Sequence, residues 1–366
     1  MDVVNVLHMN AGNRKCSYAN NSTLQKTVLL KAQEVLKETM EDFGTHGFPD
    51  SFKLADLGCS SGPNALLLVA NIIDNVLAFC KQKNLKAPDE FQVFLNDLPN
   101  NDFSTVFKMI PPFYVKLENK SGHEKSINCF ICGVPGSFYT RLFPSKSLHF
   151  FHSSSSIHWL SQVPAELLDN NRGNIYIAKA SPLGVYEAYF NQFKSDFTTF
   201  LRMRSEEIIP NGRMVLTLLG RSIADPTSKD CCYIYELLVK SFQDMLAEGL
   251  LCEEDINSFN LPIYTPCTNE LKAIIEFESS FSLDRLETFE TNWDMRDGNE
   301  ILMSEDSSGK LMAKTVRAVM EPLLACHFGN SLMDKLFEKY AMHVTEHLSK
   351  EKANYFNIVI SLTRKM

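Results

Sequence analysis

An open α/β fold with a parallel sheet is predicted by three features of the chain. An apolar strand breaks into a glycine-bracketed turn at 52–64, a helix and second strand follow at βαβ spacing, and helical patterns dominate the last third. In FKLADLGCSSGPN, Phe52, Leu54, Ala55 and Leu57 read as a buried strand with Asp56 at its carboxyl end, and Gly58 and Gly62 let the chain turn tightly beneath a ligand. The crevice at the carboxyl ends of such strands is where nucleotide-like ligands bind. The order D-x-G-x-x-x-G lacks the G-x-G-x-x-G of dinucleotide sites, which points to an adenosine-type cofactor without a pyrophosphate. Two other readings stay open: a plain strand-to-helix junction, and a hydrolase nucleophile elbow at Ser60, because Gly58-Cys59-Ser60-Ser61-Gly62 matches G-x-S-x-G. An elbow normally closes a later strand and is accompanied by an HGGG-type loop, and neither applies to this turn.

Residues 64–81 keep apolar side chains at helical spacing, and FQVFLNDLP resumes as the second strand of a βαβ unit. Its Asp97 lies at the tip beside the first turn, within reach of a ribose; the competing reading has Asp97 organise the turn around Pro99. Further strands are expected at 126–134, at 148–153, at 214–219 after the Asn211-Gly212 turn, and at 355–363, where the chain terminus completes the sheet. This divides the chain into a core, 1–229 with 355–364, and a mainly helical cap and substrate-binding region, 230–354. The polar stretch 294–310 is expected to be a mobile loop.

Composition narrows the function. The chain has 366 residues, 45% of them hydrophobic, which suffices for a large core. With 36 basic against 44 acidic residues the net charge is −8, which disfavours nucleic acid and anionic membranes as partners. The start, MDVVNVLHMN, has no basic n-region or continuous apolar run, and no stretch is read as membrane-spanning, so a cytoplasmic address is expected. The one C-x-x-C pair, Cys129 and Cys132, falls in a strand, where an odd offset sends the thiols to opposite faces; all ten cysteines are read as reduced.

FFHSSSSIHWLSQVP, 150–164, sets four serines, two histidines and one of only two tryptophans at the end of a strand, a density of donors beside an aromatic plane that suits a flat polar ligand. Ordinary packing and a helix N-terminus explain the same residues. His149, His152 and His158 do not have a recurring zinc spacing.

Taken in order, LADLGCSSGPN, LNDLPNNDF, VPGSFYTRLFP and HSSSSIHWLSQVP strongly resemble the plant SABATH methyltransferases, and the resemblance runs from VLHMNAG and SYANNS to NIVISL. It implies a Rossmann-like methyltransferase core with a helical cap, often a homodimer, using S-adenosyl-L-methionine and releasing S-adenosyl-L-homocysteine. By the same resemblance Ser17, Tyr18, Asp56, Cys59, Asn64, Asp97, Leu98, Ser137 and Phe138 line the cofactor site. Tyr18, Asn21, Gln25, Ser155, His158, Trp159, Tyr235, Val316 and Tyr355 face the acceptor, with His158 and Trp159 at the reacting group. Some members hold magnesium; here the matching residues are Asn171, Asn257, Phe259 and Asn260, and Asn257 replaces the acid that a hard cation prefers.

The resemblance implies that the acceptor is a small plant metabolite, either a carboxylate such as salicylate, benzoate or jasmonate, or a ring nitrogen of a xanthine alkaloid. Gln25 with Trp159 favours the carboxylate. VFKMIPPFYVKLE, DFTTFLR, SFNLPIYTP and Tyr355 resemble the coffee xanthine N-methyltransferases of caffeine biosynthesis, and Ser155, Tyr235 and Val316 re-shape a small benzoate pocket. Ser155 and His158 also occur together in jasmonate enzymes. The expectation is xanthine N-methylation by a narrow margin, with His158 or Tyr355 relaying the proton, and carboxyl methylation as the alternative.

Overall fold

The computed structural model describes residues 2–120, 128–167, 171, 173–293 and 308–366. Its frame is a seven-stranded sheet of β1 (Ser51–Leu57), β2 (Glu90–Asp97), β3 (Asn128–Pro135), β4 (Leu148–Ser154), β5 (Ile208–Gly220), β6 (Phe281–Asn292) and β7 (Asn354–Arg364). The order is β3-β2-β1-β4-β5-β7-β6. β1 to β5 are parallel, whereas β7 runs antiparallel to β5 and β6 antiparallel to β7.

The helices are α1 (Val3–Val6), α2 (Thr23–Lys31), α3 (Gln33–Gly44), α4 (Asn64–Lys83), α5 (Phe103–Lys120), α6 (Leu183–Glu207), α7 (Lys229–Ala247), α8 (Glu253–Asn257), α9 (Thr268–Glu278), α10 (Ser308–Phe328) and α11 (Met333–Lys350). On one face of the sheet Leu68, Val69, Ile72, Ile73 and Val76 of α4 join Val35, Leu36 and Met40 of α3 in a buried core. On the other face α6 contributes Val185, Tyr189, Phe193, Phe197 and Phe200 to a second core that continues into α7, α10 and α11. Contrary to the sequence reading, one helix among the described residues, α4, is long and apolar enough to cross a membrane by length and composition. Its apolar face is the one packed in the core, which is why a βαβ helix passes the same test.

The structure departs from the local sequence expectations in the following places. The Asn211-Gly212 turn lies inside β5 rather than before it: the pairing jumps from Leu148↔Ile208 to Phe150↔Arg213, and Asn211, at φ 62°, sits in the resulting bulge. The span 230–354, expected as mainly helical, also contributes β6, an unforeseen strand that pairs along β7 as the edge of the sheet. Its side chains are mostly exposed or half-buried, so FSLDRLETFETN carries no strong apolar alternation. The expected loop at 294–310 lies largely outside the described residues, and α10 begins at Ser308. On β3, Cys129 is buried and Cys132 exposed, as the alternation of a strand requires.

Phe52 anchors the first core, with the rings of Phe48, Phe43, His149 and Phe91 at 5.4, 5.5, 5.7 and 6.2 Å. Phe52→Ala is expected to cost roughly 3–5 kcal/mol of stability, read from the urea unfolding midpoint.

Candidate active site

A cavity of about 1370 Å³, part of it open to solvent, lies at the carboxyl ends of β1, β2, β4 and β5. Leu24, Gln25 and Val28 of α2, Ile234, Tyr235 and Leu238 of α7, and Thr315, Val316, Val319 and Met320 of α10 wall it in.

One end is built by the β1 turn and the tip of β2. Parallel pairing sets Leu57 against Asn96, and the Asn96 carbonyl accepts the N–H groups of both Gly58 and Cys59 at 2.9 Å. Gly58 has φ 76°, and a Cβ there would overlap the Ser156 side chain, so glycine is required twice over. Ser60, at φ 54°, donates its N–H to one Asp97 oxygen at 2.7 Å, while Leu98 N–H bonds the other at 2.8 Å. Burial pushes the Asp97 carboxyl up to about 6, against the pull of those two N–H bonds, and neighbouring Asp56 adds to the rise. The phenol of Tyr18, on a short 3₁₀ turn, is raised by burial and by the Asp97 and Asp56 charges, and so stays protonated. Ser137, Phe138 and Tyr139, after β3, complete this end.

The other end grows from the serine run after β4. Ser155 takes φ 57° and donates its N–H to the Thr217 carbonyl at 2.8 Å, and Ser156 Oγ bonds Gly58 O at 3.1 Å, tying this run to the first turn. The backbone then pairs with 262–264: Trp159 bridges Ile263, Tyr264 N–H bonds His158 O and Leu160 N–H bonds Pro262 O, both at 2.8 Å. His158 Nδ1 accepts the Leu219 N–H at 3.2 Å, which assigns the proton to Nε2. Burial lowers the imidazole to about 3, so His158 is a neutral donor at physiological pH. Tyr355 is raised by burial, and its hydroxyl reaches Met312 Sδ at 3.9 Å.

Of the residues expected at the site, Tyr18, Gln25, Asp97, Leu98, Ser137, Phe138, Ser155, His158, Trp159, Tyr235, Val316 and Tyr355 line this cavity. Ser17, Asn21, Asp56, Cys59 and Asn64 are not among its lining residues. Asp56 Oδ1 lies 2.8 Å from His152 Nδ1, both buried at adjacent strand ends. Asn21 closes the N-terminal loop on the carbonyls of Lys15 and Ser17, and Asn64 bonds Ser22 O at 3.1 Å. The chain start supplies Val3, Leu7, His8 and Met9, and β7 supplies Asn357; the sequence reading assigned none of these five to the site, because their approach to the strand ends is set by tertiary packing. Among the described residues no histidine is bonded to the Ser60 hydroxyl, so the turn lacks the base an elbow needs.

The magnesium set does not fit a cation. Asn171 Oδ1 accepts from Ser181 Oγ at 2.7 Å, Asn260 Oδ1 from Asn171 Nδ2 at 2.9 Å and Asn257 Oδ1 from Gly173 N–H at 2.7 Å. Phe259 is wholly buried in the core. Each amide oxygen already accepts a hydrogen bond and no carboxylate stands among these residues, so the cluster lacks the anionic ligand a hard cation prefers and serves as a structural network. No group of three or more His, Cys, Asp or Glu side chains able to hold a metal occurs among the described residues.

The His158 shift has a pH signature. An unfolded histidine titrates near 6.5 and the folded one near 3, so between those values the unfolded chain binds the extra proton. Stability therefore falls as pH drops from about 6.5 toward 3, and His158→Gln is expected to flatten part of that slope in denaturant titrations run at several pH values.

The family model for SAM dependent carboxyl methyltransferase matches residues 4–365. A Petunia hybrida benzoic acid/salicylic acid carboxyl methyltransferase is 47% identical over 364 residues, covering 100% of this chain and 99% of that protein. A probable jasmonic acid carboxyl methyltransferase of Theobroma cacao is 47% identical over 377 residues, with both chains covered in full. The solved structure of a loganic acid methyltransferase with SAH superposes at a TM-score of 0.83 and 33% identity, over 98% of this chain and 99% of that one. The donor-side turn, the tryptophan-walled cavity and a match along the whole length agree: the chain belongs to the S-adenosylmethionine-dependent carboxyl methyltransferases, the SABATH family that its motifs resemble.

Proposed function

We propose that the protein transfers the methyl group of S-adenosylmethionine to the carboxylate of a small plant acid of the benzoate, salicylate or jasmonate type. The observation that carries this reading is the state of His158: its Nδ1 is engaged by Leu219 N–H and its imidazole is neutral, so it offers a hydrogen-bond donor beside Trp159 and no base. A carboxylate is ionised at neutral pH and needs only donors, whereas a xanthine nitrogen must lose a proton. Tyr355, with its phenol raised by burial, supplies no base either.

Methyl transfer is an in-line displacement, and the bound cofactor supplies a methyl group already activated by its sulfonium. In this reading Asp97 holds the ribose and Phe138 packs on the adenine. Gln25, His158 and Trp159 direct donors at the acceptor carboxylate, and Ser155, Tyr235, Val316 and Tyr355 set the shape of its cavity. Such positioning can supply on the order of 7–11 kcal/mol of the barrier.

The relatives in hand are named for carboxylate substrates, which supports the alternative of the sequence reading over xanthine N-methylation and a place in caffeine or alkaloid metabolism. Of the stretches similar to the coffee enzymes, VFKMIPPFYVKLE on α5 and DFTTFLR on α6 do not line the cavity, whereas Ile263 of SFNLPIYTP and Tyr355 do. Assembly as a homodimer and a cytoplasmic address belong to the same proposal, on the resemblance and the composition alone.

Incubation with labelled S-adenosylmethionine and a panel of salicylate, benzoate, jasmonate and theobromine is expected to yield a base-labile methyl ester; an alkali-stable N-methyl product overturns the reading. Asp97→Asn is expected to raise KM for the donor roughly 10- to 100-fold, the scale of a lost charged hydrogen bond, with little effect on the acceptor. Trp159→Ala is expected to raise acceptor KM about tenfold or more while S-adenosylhomocysteine affinity, measured by calorimetry, stays within about twofold.

A further inference from the structure

We propose that the acceptor end of the cavity carries a hydroxyl-binding notch, built by Asn357, Thr217 and Ser154, that selects an acid bearing a free O–H over the same acid without one. The inference deepens the carboxyl-methyltransferase reading above and rests on it.

The sheet register gathers the three residues. Leu219, whose N–H holds His158 Nδ1, pairs with Asn357 across β5 and β7. Thr217 lies two residues earlier on the same face of β5 and pairs with Ser154 across β4 and β5. Opposite side chains on one sheet face stand roughly 5 Å apart and diagonal ones roughly 7–8 Å, so Thr217 sits between the other two, one strand from each. Asn357 and Ser154 line the cavity, and Thr217 and Asn357 are wholly buried.

Asn357 Oδ1, Thr217 Oγ1 and Ser154 Oγ are buried and have no hydrogen-bond partner among the described residues, and the same holds for Oε1 of Gln25, on the cavity wall formed by α2. The orientation of the Asn357 amide is fixed. Its Nδ2 donates to Thr291 Oγ1 at 2.5 Å and lies 3.2 and 3.5 Å from the carbonyl oxygens of Tyr355 and Phe289, which can only accept. The nitrogen is thereby turned toward β6, and the oxygen is left as the polar atom on the cavity side. A hydroxyl placed here donates to Asn357 Oδ1, while the Thr217 and Ser154 hydroxyls rotate to complete its bonds. A C–H in the same place strips these oxygens of water and returns no bond, which is how a site built for an O–H rejects the analogue that lacks it. None of the four side chains is charged, so the notch suits a neutral hydroxyl and not a second carboxylate.

Calorimetry on the full chain with S-adenosylhomocysteine bound measures Kd for benzoate, for its 2-, 3- and 4-hydroxy forms, and for jasmonate. At least one hydroxy acid is expected to bind about tenfold or more tighter than benzoate. That ratio is expected to shrink severalfold in Thr217→Val and in Ser154→Ala, and to approach one in Asn357→Leu. The ratio is the readout because a merely structural role weakens benzoate and its hydroxy forms alike. Should Asn357→Leu fail to fold, since its amide also ties β7 to β6, the two hydroxyl deletions decide the matter. Equal affinity for benzoate and all three hydroxy acids in the unmodified protein, or a ratio that survives in Thr217→Val and Ser154→Ala, overturns the inference. Binding of jasmonate alone, which has a ketone and no hydroxyl, overturns it too and leaves the carboxylate reading standing. Should none of these acids bind or be esterified, the carboxylate reading itself is overturned.

Discussion

The pairing of β1 with β2 is the constraint on which the site depends. It puts the Asn96 carbonyl under two consecutive N–H groups of the turn and brings Asp97 to the Ser60 N–H. The turn can adopt this path because Gly58 has no Cβ to meet Ser156, and Ser60 accepts a left-handed backbone in exchange for a charge-assisted hydrogen bond. Tyr18 and the serine run close around that platform, so one sheet register positions both ends of the cavity.

The chemistry the cavity can support follows from what it withholds. The His158 imidazole is neutral with its Nδ1 lone pair engaged, the buried phenols of Tyr18 and Tyr355 stay protonated, and the amide oxygens of the candidate metal set already accept hydrogen bonds. What remains is a set of donors lining a largely apolar cavity. An anionic nucleophile brought against an already activated methyl group needs little else.

Much of this was legible in the chain. The turn at 58–62, Asp97 and the His158-Trp159 pair were read from local patterns, and the cavity gathers Asp97, His158 and Trp159 with Gln25, Tyr235, Val316 and Tyr355 from distant positions. β6 was not legible, because an edge strand with half-exposed side chains carries no clear alternation. Asp56, an acid at a strand tip like Asp97, reads the same in sequence; its pairing with His152 depends on the neighbouring strand. The acceptor preference mixed stretches on α5 and α6 that lie away from the cavity with Ser155, Tyr235, Val316 and Tyr355, which line it.

The sequence by itself determined the fold class, the glycine-bracketed turn after β1 and the family, since each is written in short-range spacing: strand alternation, glycine positions and adjoining motifs. Only the tertiary structure decided the tautomer and charge of His158, the occupation of Asn171, Asn257 and Asn260 by one another's surroundings, and the orientation of the Asn357 amide. Protonation and hydrogen-bond capacity are set by burial and by partners from other elements, and no local pattern along a chain specifies either.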